Sequence, residues 1–338
     1  MTETEPLPSA THSPAPSPAP RAEDRPGPAR RALRLVAILA CLPYISLKTA
    51  WVAGSGIGIP AGSVLLENRQ VLAVANSVSV LADVLVIVLA LLLTQRWGRR
   101  VPAWLLALPM WAATGLLAPI MTGYPAQLAV ALTGDERSAA PAEPFLDSWV
   151  FAVVYGGFIL QGLSLGTLFT WYARDRWGYL WSGRLGGLPA GLSGPGVRIA
   201  ALVAAAVALF PLTLHASRVL GSDAGLSPRQ IVERDADFTV LEFQWSVFVV
   251  VAAALTLCLV LRRPARLKVR TVLALAWTGS GAVGCWGAYM SLVALMPETD
   301  PDKQVTTLAQ LTYAGEMITG FLLAACLAAV LRRRSAEA

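Results

Sequence analysis

Charged positions along this chain are crowded into short stretches, and between them run long blocks that are almost wholly apolar. Eight blocks have this character: Leu33 to Ala53, Val71 to Thr94, Val101 to Met121, Trp149 to Tyr172, Arg198 to Ser217, Phe243 to Leu261, Thr271 to Met296 and Val305 to Leu331. A hydrocarbon core of ~30 Å needs about 20 helical residues, and each block is long enough to cross it. The pattern therefore predicts an all-α integral membrane protein with eight transmembrane helices. Residues 1–30 form a tail, 31–334 the membrane domain and 335–338 a short C-terminal tail.

Composition agrees with the pattern. Of 338 residues 55% are apolar and 14% charged, with a mean hydropathy of +0.58, which excludes most soluble enzyme classes. A net charge of +6 would point to nucleic acid in a soluble protein. Here the positive charge has another use, and no nucleic-acid partner is expected. The four cysteines (Cys41, Cys258, Cys285, Cys326) all lie inside apolar blocks and read as small buried hydrophobes. Arg outnumbers Lys 24 to 3, the bias of a GC-rich bacterial genome, so a bacterial plasma membrane is the expected location.

The first 29 residues hold eight prolines and no apolar stretch, the composition of a disordered, partly polyproline II segment. The first apolar block begins too late and is too long for a cleaved signal peptide. The Pro-Ala-Pro-Ser-Pro run is either a solvated tail or a ligand for an SH3-like partner.

Basic residues fall unevenly on the two sides of the predicted spans. Both tails and the loops 95–101, 173–198 and 262–270 hold 20 of them, the opposite side holds six, and Lys48 lies within a span. Acidic residues show the reverse bias, 13 against six. The positive-inside rule then puts both termini in the cytoplasm, which an even number of spans also requires. Trp97, Trp177 and Trp181 fall at the Arg-rich boundary and Trp51, Trp149 and Trp245 at the other, where indoles anchor at a membrane interface. Loops 54–70, 122–148 and 218–242 lie on the Arg-poor side.

An internal duplication is visible in outline. Block four reads Tyr155-Gly-Gly157-x4-Gly162 before Arg174, and block eight reads Tyr313-Ala-Gly315-x4-Gly320 before Arg332. Blocks one and five each carry a proline near mid-block, Pro43 and Pro211. A 4+4 repeat of this kind is parallel, with its axis along the membrane normal.

Three ionisable side chains interrupt the spans. Asp83 lies about 18 Å into block two and Glu316 about 16 Å into block eight, and Lys48 is the basic residue within block one. Charge at that depth costs at least a few kcal/mol unless it faces protein or water. Each sits on a polar stripe: Asn76, Ser79 and Asp83; Thr312, Glu316 and Thr319; Tyr44, Lys48 and Trp51. Gln161 adds a neutral donor at similar depth. Two readings are open: a midplane site binding a proton, cation or small solute through Asp83, Glu316 and Lys48, or a snorkelling lysine with acids that only fasten helices.

Small residues carry a similar pair of readings. Gly279, Gly281, Gly284 and Gly287 either let helices pack closely or mark an unwound segment, and Pro102, Pro109 and Pro119 bend or break block three. Catalytic motifs fare poorly. Gly191-Leu-Ser193-Gly194 matches an intramembrane serine protease in letters, but His215 lies at the far end of block five, about 25 Å beyond Arg198. With His12 the only other histidine, metal and heme sites lack ligands, and no cofactor is expected. His215 and Arg218, near Trp51, form a candidate headgroup contact, and Arg174, Arg176 and Arg184 among aromatics resemble a lipid belt. The function expected is a secondary transporter or permease-like carrier. The alternatives are a membrane scaffold or accessory subunit with protein or oligomer partners, and an enzyme acting on lipid-linked substrates.

Overall fold

The computed structural model describes residues 27–61, 63, 69–132, 146–296, 298 and 300–337. Residues 1–26 of the Pro-rich tail, with His12, and residues 133–145 between blocks three and four lie outside these residues. Nine α-helices follow in order: α1 (Pro28–Val52), α2 (Arg69–Thr94), α3 (Ala103–Ala131), α4 (Ser148–Trp177), α5 (Pro195–Val219), a short α6 (Pro228–Val232), α7 (Ala236–Leu261), α8 (Val269–Val293) and α9 (Thr307–Ala336). Among the described residues there is no strand, only one bridge between Arg184 and Lys268. Each apolar block is a long helix.

Seven of these helices are long and apolar enough to cross a membrane, which fits a multi-pass membrane protein: α1, residues 73–94 of α2, α3, α4 with its following turn, α5, α7 and α9. The exception is α8, where Thr271, Thr278, Ser280 and four glycines dilute the apolar content. Its neighbours α3, α7 and α9 pack against it and bury Ser280 and all four glycines.

Local chemistry sets several ends. Pro28 and Pro195 open α1 and α5, where a missing N–H costs nothing. The Asp235 carboxylate accepts from the Phe238 N–H at 2.8 Å and starts α7 seven residues earlier than its apolar run, which brings Glu242 inside the helix. Helix α1 likewise begins inside the segment read from sequence as tail. Neither α3 nor α8 is broken: α3 runs through Pro109, Pro119 and Pro125, and the glycines of α8 stay helical. Close packing is what those glycines serve.

Helix α1 packs on α2 and α4, and α5 packs on α7 and α9. Between these groups α3 and α8 meet at Gly115 and Gly281, where a Cβ on Gly115 would fall 2.3 Å from the Gly281 carbonyl carbon. The Trp111 indole N–H donates to Ser280 Oγ at 3.1 Å, and its ring meets Phe321 edge-on at 5.3 Å. Conversely Trp277, on α8, stacks on Phe169 of α4 at 5.7 Å. Each central helix thus inserts a tryptophan against the opposite group.

Both ends are closed differently. At the Arg-rich end, turns across 178–192 bury Leu185, Leu188 and Leu192 among α5, α7, α8 and α9, held by Arg262 donating to the Leu188 carbonyl at 3.0 Å. At the Arg-poor end Thr306 donates to the Gly225 carbonyl at 2.7 Å, and the Arg229 N–H to that of Asp302 at 3.0 Å, tying two loops together.

Candidate functional site

Two buried polar clusters result, one in each helix group. In the first, Lys48 Nζ donates to Asn76 Oδ1 at 2.8 Å, and its ammonium lies over the rings of Tyr44 (5.0 Å) and Trp51 (4.8 Å). Trp51 is buried and its indole donates to the Ile57 carbonyl at 2.7 Å, so that wall is fixed. One turn deeper Tyr44 and Ser79 lie side by side. The Ser79 hydroxyl donates to the Ala75 carbonyl at 2.9 Å. Deeper again, Gln161 Nε2 donates to Asp83 Oδ1 at 3.2 Å and to the Ala40 carbonyl at 3.4 Å. These are successive rungs along the seam of α1 and α2, with α4 closing the deepest.

The cluster is not self-satisfied. Asn76, Asp83 and Gln161 are 1%, 3% and 1% exposed, yet Asn76 Nδ2 and Asp83 Oδ2 have no hydrogen-bond partner among the described residues. Lys48 attracts Asp83 electrostatically without forming a direct ion pair with it.

In the second cluster His215 stands between two acids. Its Nδ1 is 2.6 Å from Glu242 Oε2 and its Nε2 is 2.7 Å from Glu316 Oε1. Arg218 reaches Glu242 Oε1 at 3.4 Å and donates Nε–H to the Ala224 carbonyl at 3.0 Å, while the Trp245 ring stacks at 6.4 Å from the imidazole. His215, Arg218, Glu242 and Glu316 are all buried. An imidazolium donating to both carboxylates holds the same number of protons as a neutral ring between one carboxylate and one carboxylic acid. A proton therefore shifts along this triad without any change in net charge. Its side chains point at one another rather than at a shared centre, and among the described residues no group of three His, Cys, Asp or Glu is disposed to hold a metal ion.

The residues singled out from sequence are thus divided. Lys48, Asp83, Asn76, Ser79, Tyr44 and Gln161 come together. Glu316 does not join them; it belongs to His215 in the other group. Thr312 bonds back to the Leu308 carbonyl at 2.7 Å, and Thr319, fully buried, leaves its hydroxyl unpartnered. Trp51 walls Lys48 and Trp245 covers His215, so these two serve the clusters rather than an interface, whereas Trp149 and Trp97 are half exposed. Glu242 had read as part of an acidic loop. The signal for it was the Asp235 N-cap, which extends α7 by two turns. Ser193 lies beside the α9 arginines at the Arg-rich end and His215 at the other. No family model, curated protein or solved structure matches this chain.

Proposed function

We propose that this chain is an eight-span secondary carrier of the bacterial plasma membrane that moves a small solute together with a proton by alternating access. The observation that carries the reading is that each helix group holds one buried ionisable cluster, built from the same helices in the same register. Lys48 and His215 occupy the same position in α1 and α5, two helices of 25 residues that both open on proline. Asn76 and Glu242 are their partners on α2 and α7. Among the side chains described they are the first buried polar residues of their helices, and they precede matching buried pairs such as Leu93 and Leu259.

The central helices support the same duplication. Trp111-x-x-Thr114-Gly115 in α3 and Trp277-x-x-Ser280-Gly281 in α8 are one motif, and the two glycines touch. In α4 and α9 the Tyr-x-Gly register sets Gln161 opposite Thr319, both buried. Four helices per half make the halves parallel, with an axis along the membrane normal between α3 and α8, and α8 is then the eighth span. Halves joined at one line of glycines and swapped tryptophans can rock about it. The Arg-rich end faces the cytoplasm, as do both termini. Burying Asp83, His215, Arg218, Glu242 and Glu316 within the membrane domain is expensive, and proton coupling through Asp83 and the His215 triad accounts for it.

The test is proton flux into liposomes holding purified protein and an internal pH dye. Wild type is expected to pass protons under an imposed gradient, and Asp83→Asn or Glu316→Gln to remove that flux while folding normally. Equal flux through wild type and both folded variants refutes proton coupling and leaves the clusters as fasteners of a scaffold.

A further inference from the structure

The two clusters differ in what they leave over, and the difference defines a ligand. At the Lys48 end two donors lie close together. The Asn76 amide oxygen is 2.8 Å from Lys48 Nζ, and the amide nitrogen, bonded to the same carbon, is a buried donor without a partner. Lys48 itself has one hydrogen bond for three ammonium protons, with the faces of Tyr44 and Trp51 covering its sides. A carboxylate spans two such donors with its two oxygens and matches their charge. At the deeper end Asp83 offers a free, buried oxygen while Gln161 holds the other.

We propose that this seam binds a small organic carboxylate at Lys48 and Asn76, and that Asp83 takes up one proton as it binds. Charge balance links the two events. Lys48 and Asp83 compensate each other before binding, and an added anion leaves an uncompensated negative charge in a low-dielectric interior. A proton on Asp83 Oδ2 restores neutrality, with Gln161 still donating to Oδ1. The carboxylate and the proton enter together and no bond other than that O–H is made. Tyr44 and Trp51 favour a ligand with an apolar body. The inference rests on the carrier reading, but binding needs no flux, so the two fail separately.

The experiment measures binding of propionate, succinate and benzoate to the full chain in detergent by thermal shift, with pH-dye detection of proton uptake in weak buffer. Glycine and methylammonium serve as zwitterionic and cationic controls. At least one carboxylate is expected to raise the melting temperature and bring in about one proton per ligand. Lys48→Met and Asn76→Leu should weaken it tenfold or more, Lys48→Arg should restore it, and Asp83→Asn should bind without proton uptake. Three results overturn the proposal: no carboxylate binding at all, methylammonium or glycine binding in preference, or carboxylate binding that survives both Lys48→Met and Asn76→Leu. Flux without such binding would overturn it and leave the carrier reading standing.

Discussion

The cluster at Lys48 and the cluster at His215 occupy corresponding places in the two helix groups and solve opposite problems. Around His215, two acids and two bases pair among themselves, and Arg218 Nη2 is the one fully buried atom of these four side chains without a hydrogen-bond partner among the described residues. Around Lys48 one acid and one base stay apart, and the acid, Asp83, and its neighbour Asn76 each present an unfilled atom among the described residues. Position by position the reason is visible. In the proposed repeat Asn76 aligns with Glu242 and Val249 with Asp83. Beside His215 the acids lie near the start of α7 and on α9, next to the imidazole. A saturated network holds helices firmly, whereas an unsaturated one costs stability and is retained where something else completes it.

The sharpest way to break that contrast is to remove one acid from each cluster. Glu316→Leu strands His215 Nε2 and unbalances a buried charge set, and is expected to cost about 3–5 kcal/mol. Asp83→Leu removes a carboxylate with one hydrogen bond, and should cost nearer ~1 kcal/mol. Denaturant or thermal unfolding in detergent measures both, and equal losses would erase the distinction.

The close contact between α3 and α8 gives the next test. A Cβ at Gly281 would lie 2.9 Å from the Trp111 carbonyl oxygen and 3.0 Å from the Gly115 Cα, so Gly281→Ala should cost about 1–3 kcal/mol. Gly156, with nothing within 4 Å of its Cβ position, is the control, and Gly156→Ala should leave the melting temperature unchanged or higher.

Equivalent neutral positions give a finer comparison. Gln161→Leu leaves both Asp83 oxygens without donors and should cost about 1–3 kcal/mol. Thr319→Val removes a hydroxyl that has no partner and keeps its shape, so unfolding should be unaffected or slightly delayed. The smallest effect is expected at the Arg-rich surface, where Arg30 meets Asp175 at 2.5 Å with both side chains partly exposed. Arg30→Ala should cost under ~1 kcal/mol, and that cost should vanish at high salt.

What the sequence determined by itself is the architecture. A helix that meets lipid satisfies its own backbone and is apolar on most sides, so eight apolar blocks specify eight long helices with no knowledge of their neighbours. Depth along each helix is equally local, which is why Lys48, Asp83 and Glu316 stood out as buried charges. Depth does not say which helix lies beside which. Asp83 and Glu316 share a depth but not a neighbour, because α9 packs on α5 and α8 rather than on α2. Glu242 was hidden for a related reason: its helix start depends on a cap three residues long, not on the apolar run. Only packing decided that Gln161 would reach Asp83, that Glu242 and Glu316 would share one imidazole, and that Gly115 would meet Gly281. Contacts between helices are set by shape and pairing across the whole chain, and no single stretch of sequence carries them.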